Sequence, residues 1–308
     1  MQNNNNIAII VPTLNAGSLW LNWIEGLKKQ TYPVSTIYII DSGSTDHTVS
    51  LSKENAFTIH SINQKDFNHG VTRQLAIDTL ENIDIAIYMT QDAVLDKSTS
   101  LQELLFAFED KKVAAAYGRQ LPRKKANPIE AHGRFFNYPN QSNIRDLSDK
   151  EYFGFKLIFI SNSFAAYRVS ALKTVGGFPD NVILGEDTYT CAKLIQQGWK
   201  VAYQANATVI HSHDYTILDE AKRYFDTGVF HSKEHWLLDE FGNTNSAGLN
   251  YIKSEVKYLL KQNPLLIGNA IIRTIFKFLF YKLGRIERYL PIWAKKLLSM
   301  NKLYWNQS

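Results

Sequence analysis

The sequence predicts an α/β protein built on a largely parallel, twisted sheet with helices on both faces. Short apolar runs alternate with amphipathic segments through the first half of the chain. Carboxylates stand where those runs give out: Asp41 closes Ile37-Tyr38-Ile39-Ile40, Asp92 follows Ile85–Met89, and Glu186-Asp187 follow a Gly-rich turn. A lone carboxylate after a strand is more often a helix cap or a turn residue. Three such sites, at the ends of successive units, predict one acidic cleft suited to a metal and a phosphorylated ligand, at the strand ends where open α/β sheets bind.

Each element follows from local pattern. Ile7–Val11 is a short apolar run that should stop at Pro12, which has no N–H to give a ladder. Ser18–Gln30 reads as a helix, with Leu19, Trp20, Trp23, Ile24 and Leu27 along one face. Thr36–Ile40 is the next strand, and Asp46 can cap a helix over His47–Asn55. A helix over about Gly70–Leu80 precedes a strand at Ile85–Met89, and another strand falls near Val113–Tyr117. From Arg119 to Lys150 regularity fades, the mark of a functional loop or lid. Order returns at Leu157–Arg168, the turn Gly176-Gly177-Phe178-Pro179, and a helix over about Glu186–Gln197 with Gly198 as its C-cap. Trp199–Tyr203 and Ala207–His211 read as two short strands; beyond Asp214 the pattern is helical, and no repeats occur.

Composition narrows the class. A chain of 308 residues accommodates one large core or two domains. One cysteine, Cys191, excludes an internal disulfide and a cysteine-rich metal site. The polar, uncharged start Met1–Asn6 lacks the features of a signal peptide, so a cytosolic protein is expected. Residues 249–308 hold 11 Lys and Arg against 2 Asp and Glu, leaving 23 against 27 for the rest. A basic tail on a mildly acidic body should meet something anionic, either nucleic acid or lipid.

Pro12-Thr13-Leu14-Asn15 and Asp41-Ser42-Gly43-Ser44-Thr45-Asp46 each follow a strand and precede a helix, offering N–H groups to a nucleotide. Neither is a P-loop or a G-x-G-x-x-G fingerprint, so ordinary kinases and NAD enzymes are disfavoured. Asn68-His69-Gly70 opens the next helix, with Arg73 one turn in, where a guanidinium can reach phosphate. The ordered set PTLNAG, DSGSTD, FNHGVTR, TQDA, GGF and GED resembles the inverting family 2 glycosyltransferases of the GT-A fold. FNHG followed by TR, then TQDA, is most similar to bacterial rhamnosyltransferases using dTDP-L-rhamnose, and the likeness spans about residues 7–215.

That resemblance implies roles. Pro12, Thr13, Asn15, Asp41, Ser42 and Ser44 would frame the nucleotide, with Asp41 accepting from the base; Arg73, Gln91 and Asp92 would also meet the donor. Asp92 stands at the family's metal-binding aspartate, and Asp187 matches the catalytic base. The sequence departs from the common pattern in Gln74 and Leu75 after Arg73, and in having one carboxylate at the metal motif. His211 is the preferred further ligand, with His213 weaker, although both could instead orient the loop or meet phosphate. Hard oxygen ligands and a diphosphate favour Mg²⁺ or Mn²⁺ over zinc. Glu186, Asn162, His69, His132 and the segment Trp199–Tyr203 are candidates for acceptor contact or support.

The expected enzyme moves L-rhamnose from dTDP-β-L-rhamnose to a lipid-linked saccharide in surface polysaccharide assembly. Another nucleotide sugar such as a UDP-hexose, or a non-catalytic nucleotide-sugar-binding protein, are the alternatives. Residues 1–215 would form the transferase domain and 216–308 a helical extension. There Ile271, Ile272, Ile275, Phe276, Leu279, Phe280 and Leu283 recur at helical spacing among basic residues. No uncharged stretch is long enough to span a bilayer. A basic amphipathic helix with aromatics suits the cytoplasmic face of the inner membrane, so no nucleic-acid partner is expected. Packing on the catalytic domain or in a homodimer is the other fate of such a stripe.

Overall fold

The computed structural model describes residues 5–213, 215–242 and 245–306. Nine strands form one sheet: β1 (Ile7–Thr13), β2 (Thr36–Asp41), β3 (Thr58–Ser61), β4 (Ile85–Met89), β5 (Val94–Leu95), β6 (Val113–Leu121), β7 (Asn143–Arg145), β8 (Phe164–Arg168) and β9 (Lys200–Ile210). Helices of the first half are α1 (Leu19–Lys28), α2 (Thr48–Glu54), α3 (His69–Thr79), α4 (Ser100–Leu105), α5 (Pro128–Asn137), α6 (Lys150–Phe153), α7 (Val169–Thr174) and α8 (Glu186–Gln196). The chain ends in α9 (Ile217–Lys233), α10 (Trp236–Phe241), α11 (Asn245–Gln262), α12 (Ile267–Arg285) and α13 (Ile292–Leu298).

Strand order is β3-β2-β1-β4-β8-β6-β9-β5, with β7 added along β9. The first four strands run parallel, as does β6 with β9, whereas β8 is antiparallel to both its neighbours and β5 and β7 are antiparallel to β9. The sheet is therefore mixed, with β5, β7 and β8 set antiparallel into an otherwise parallel array. Buried strands read as continuous apolar runs in either direction, so sequence pattern does not set their sense. Alternation divides the core in two. Ile10, Ile40 and Tyr88 face a cluster shared with α3, α7, α8 and α9, while Ile9, Val11, Ile39 and Ile87 face one shared with α1 and α4.

Other local expectations are revised. β1 runs through Pro12, paired with Ile40, because β4 has already left its other side after the Ile10–Tyr88 pair. The stretch 119–150 is not a lid: it finishes β6, forms α5 capped by Asn127, and adds β7. His69 opens α3 and His132 lies within α5, so neither is a loop residue. The two short strands near residues 199 and 211 are one strand, β9, whose register against β6 shifts where Gly118 and Arg119 pair with Gln204 and Thr208. Gly198, at φ 82°, ends α8 as expected.

The C-terminal helices pack on the body. Phe225, Val229, Phe230, Leu237, Phe241 and Trp305 belong to the larger core cluster. α9 and α12 cross so closely that a Cβ at Gly228 would lie 2.2 Å from the carbonyl of Tyr281, and one at Gly284 2.1 Å from that of Phe225. The outer side of α12 stays bare, with Ile271, Ile272, Ile275, Phe276, Phe278 and Leu279 all exposed.

Candidate active site

The carboxyl ends of β1, β2, β4, β6 and β9 and the start of β8 share one edge of the sheet, and the predicted residues gather there. The turns after β1 and β2 lock together. Asp41, buried, accepts from Thr13 Oγ1 (2.9 Å) and Ser44 Oγ through Oδ1, and from the N–H groups of Gly43 (3.0 Å) and Ser44 (2.9 Å) through Oδ2. Asn15, at φ 47°, donates its N–H to Ser44 Oγ (2.8 Å) and accepts from Thr45 N (2.8 Å). Ser42 Oγ donates to the carbonyl of Thr13 (2.9 Å). Gln91 grips the other side of the first turn, accepting from Leu14 N (2.8 Å) and donating to Leu14 O (3.1 Å). Asp41, Asn15 and Gln91 thus spend polar atoms on shaping these turns. A base N–H reaching Asp41 would have to share an oxygen already accepting two bonds.

Beside the turns lies a cavity of about 250 Å³ lined by Pro12, Thr13, Leu14, Ser42, Gln64, Phe67, His69, Arg73, Thr90, Gln91 and Leu303. Arg73 is buried in its wall. Its Nη1 lies 3.0 Å from Glu186 Oε1 and donates to the His69 carbonyl (2.9 Å), while its Nε has no partner among the described residues. Burial pulls the His69 imidazole down to about 4, so it stays neutral near pH 7. A larger hollow of about 570 Å³ sits at the other end of α3, around Asp78, Asn82 and Lys173. None of the predicted site residues lines it.

Asp92, His211 and His213 converge just past β4 and β9, with one ligand-capable atom from each lying within 4.8 Å of the others. His211 Nε2 is 3.3 Å and His213 Nδ1 3.5 Å from the Asp92 carboxylate. His213 therefore stands level with His211, against the sequence ranking, while Asp214 of the same motif lies outside the described residues. His211 is buried; its Nδ1 meets Gln120 Oε1 (2.8 Å), yet its Nε2, aimed at Asp92, makes no aligned hydrogen bond among the described residues. An unmet nitrogen facing a carboxylate is what a cation between them would satisfy, and a carboxylate with two imidazoles is a donor set that divalent metals accept. Although burial opposes ionisation of Asp92, the two imidazoles hold its carboxyl far below the usual range.

Residues absent from the sequence reading support this cluster. Gln120 also accepts from Arg134 and donates to Ser161 Oγ (2.9 Å), and Glu130 accepts from the N–H of His213 (2.7 Å). Gln120 lies beyond the expected end of its strand, and Arg134 and Glu130 lie in what reads as irregular chain.

Glu186 and Asp187 open α8 after Gly185, which sits at φ 78° and where a Cβ would press on the Phe230 ring at 3.0 Å. Asn162, buried, clasps both: its N–H donates to Asp187 Oδ2 (3.2 Å), its Nδ2 to Glu186 Oε1 (3.0 Å), and its Oδ1 accepts from Tyr167 (2.8 Å). Asn162 thus acts as a support for both carboxylates. Trp199–Tyr203 lies toward the opposite end of β9 from His211. His132 packs among Phe136, Tyr251 and Tyr258 and meets Ser254 (2.9 Å), away from the cavity. Burial, then the neighbouring Glu186 carboxylate, lift Asp187 to about 6. Burial would raise Glu186 as well, but Arg73 and His69 outweigh it and hold the group low.

Comparison with known proteins decides the family. Residues 8–176 match the model described as Glycosyl transferase family 2. The chain belongs to that family. It is 46% identical to the O-antigen chain rhamnosyltransferase RfbN of Salmonella typhimurium, over 97% of this chain and 96% of that one. It is 45% identical to the O-antigen chain rhamnosyltransferase WbaN of Salmonella anatum, over 97% and 95%. Among solved structures, a mannosyltransferase from Pyrobaculum calidifontis in complex with GDP-Man and Mn²⁺ superposes with TM-score 0.64 at 15% identity, covering 93% of this chain and 87% of that one. The α/β fold, the family resemblance and the glycosyltransferase class read from the sequence all stand. This family 2 glycosyltransferase has a nucleotide sugar as its donor, and its Asp92, His211 and His213 side chains are grouped so that they could hold a cation.

Proposed function

We propose that the chain transfers L-rhamnose from dTDP-β-L-rhamnose, with inversion, to a lipid-linked saccharide during O-antigen assembly. The observation that carries the chemistry is Asp187: a carboxyl lifted to about 6, held at a helix start on the same sheet edge as the Asp92 cluster and the Arg73-lined cavity. Near-full-length similarity to two rhamnosyltransferases supports the sugar.

The donor nucleotide lies in the cavity between the turns after β1 and β2 and the start of α3. The acceptor hydroxyl approaches the anomeric carbon from the face opposite the diphosphate. Asp187 takes its proton as the new C–O bond forms and the sugar–phosphate bond breaks, the electron pair leaving with dTDP. A pKa near 6 leaves Asp187 mostly ionised at pH 7 yet basic enough to accept the proton. Asp92, His211 and His213 would hold a divalent cation, which when bound would supply positive charge to the departing diphosphate. Arg73 adds a fixed cation on the cavity wall while its bond to Glu186 keeps that carboxylate ionised and turned from Asp187's role.

Residues 1–215 form the catalytic unit and 216–308 the surface-binding extension on this reading. The Pro264–Arg285 stretch is long and apolar enough to cross a membrane by length and composition. Arg273, ion-paired to Glu220 (3.1 Å), and Lys277, buried over Tyr224 and Tyr251, fix its inner side to the protein, which supports a helix lying along the cytoplasmic membrane surface over one that spans it. Exposed Lys261, Lys282 and Arg288 flank the apolar face and suit anionic lipid.

The test is product analysis after incubating purified protein and Mn²⁺ with dTDP-rhamnose, UDP-hexoses and lipid-linked acceptors. A β-to-α inverted rhamnoside, lost in Asp187→Asn, is expected. Turnover of a UDP-hexose in preference to dTDP-rhamnose would reject the donor.

A further inference from the structure

The chain after α13 folds back over the body and reaches the cavity. Ser299 is fully buried, and Asp226 of α9 accepts from Ser299 Oγ (2.6 Å), Met300 N (3.0 Å) and Asn301 N (3.1 Å). The Asn301 side chain donates to the carbonyl of Ile183, in the loop that leads to Glu186. On the far side, Lys233 Nζ donates to Tyr304 Oη (2.7 Å) and Trp305 is buried near Phe225. Leu303 is thus pinned from both directions. Its side chain remains 36% exposed, and it lines the cavity whose other walls all come from residues between Pro12 and Gln91.

We propose that this C-terminal strap completes the donor pocket and that Leu303 packs on the bound nucleotide sugar. The inference rests on reading the cavity as the donor site. A leucine has no hydrogen bond to offer, so it can meet only the base ring or an apolar face of the sugar. With Pro12, Leu14 and Phe67 it makes the non-polar part of a wall whose polar end is Thr13, His69 and Arg73. Such a division, apolar walls with a few placed polar groups, is the ordinary make-up of a small-molecule site. Leaving an aliphatic side chain in an open cavity is unfavourable, and a ligand that covers it recovers that burial. Anchoring through Asp226 and Asn301 holds the residue in place before the donor arrives, which lowers the ordering cost of binding. The strap also joins the donor pocket to α13, whose Trp293 and Leu297 point outward.

The experiment uses the full-length protein, Leu303→Ala and Leu303→Met. Each is titrated calorimetrically with dTDP and with UDP, and donor KM and kcat are measured. Leu303→Ala should weaken nucleoside diphosphate binding or raise donor KM roughly fivefold or more, the effect of losing an aliphatic contact. Its kcat should stay near wild type, Leu303→Met should restore affinity, and the melting temperature should not move. An effect on dTDP itself places Leu303 at the nucleoside, and one on KM alone places it at the sugar; either supports the proposal. Unchanged affinity and KM in Leu303→Ala would overturn it, as would a loss that Met does not restore and that follows a lowered melting temperature. If wild type prefers UDP and Leu303→Ala weakens that, the strap's role stands while dTDP as the donor nucleotide fails. If wild type binds neither nucleotide, both readings fall.

Discussion

Neutralising Glu186 should move the pH dependence of catalysis without removing the base. Asp187 is lifted to about 6 by burial first and by the Glu186 carboxylate second. Both carboxylates hang on Asn162, and two charges about 6 Å apart at an effective dielectric near 20 interact by about 3 kcal/mol. Arg73, 3.0 Å from Glu186, offsets part of that. A residual of roughly 1.4 kcal/mol corresponds to about one pH unit. Glu186→Gln keeps an oxygen for Asn162 and Arg73 but removes the charge, so the base becomes ionised at lower pH. The sign follows from the base having to be ionised: activity is lost as pH falls through the Asp187 pKa, and lowering that pKa shifts the loss to more acid solution. The assay is kcat/KM for donor at saturating acceptor and Mn²⁺, from pH 4.5 to 8.5 at constant ionic strength. Wild type should show an acid limb near 6, Glu186→Gln a limb about one unit lower, and Asp187→Asn a loss of about 10²–10⁴-fold across the range. A limb that stays in place in Glu186→Gln, with the fold intact, would refute the electrostatic coupling of the pair.

Three further outcomes are expected. Gln120→Leu removes the acceptor that sets the His211 ring, so Mn²⁺ affinity, followed by the electron paramagnetic resonance of the free ion, should fall about 10–100-fold; unchanged affinity would remove Gln120 from the site. Gly284→Val drives a side chain into the carbonyl of Phe225 and should lower stability by about 1–3 kcal/mol or more in thermal unfolding, whereas an unmoved transition would mean that α9 and α12 separate freely. Ile275→Glu with Leu279→Glu places two charges on the bare face of α12. Co-sedimentation with anionic vesicles should drop sharply while donor turnover with a soluble acceptor persists, and a change from dimer to monomer without loss of vesicle binding would assign that face to a second copy.

The sequence made the alternation of strands and helices legible because buried strands and amphipathic helices leave different periods, and the ordered motifs located the edge of the sheet that matters. What escaped it has physical causes. β8 runs against its neighbours, yet Phe164–Arg168 is buried on both faces and shows no directional pattern. Gln204 and Asn206 look like a break in a strand; Gln204 is the last pair before, and Asn206 lies within, the offset where β9 slips past β6. α5 is short and sits in polar chain, and its packing partners come from far away, with Ile129 packed on Leu259 and Ala270. Asn162, Arg73 and Glu186 could each be singled out by type, but only the fold brings residues 73, 162 and 186 into one hydrogen-bonded group. Leu303, more than two hundred residues from the other walls of its cavity, carries no local signal at all.

The three chemistries of the site are tied by one continuous set of contacts. From Asp92 it passes to His211, whose Nδ1 meets Gln120, and Gln120 bonds to Ser161. Asn162, next in the chain, holds Asp187 through its N–H and Glu186 through its amide, and Glu186 holds Arg73 in the cavity wall. Gln120, Asn162, Glu186, Arg73 and His211 are all buried, so each bond is shielded from water and a missing partner is costly. The relative placement of the proposed cation ligands, base and donor wall is consequently set by the pairing of β6 with β8 and by α8 docking at its end, before any ligand binds. Groups fixed in this way need little reorganisation when charge develops on a departing diphosphate, which is where an enzyme of this class gains most of its rate.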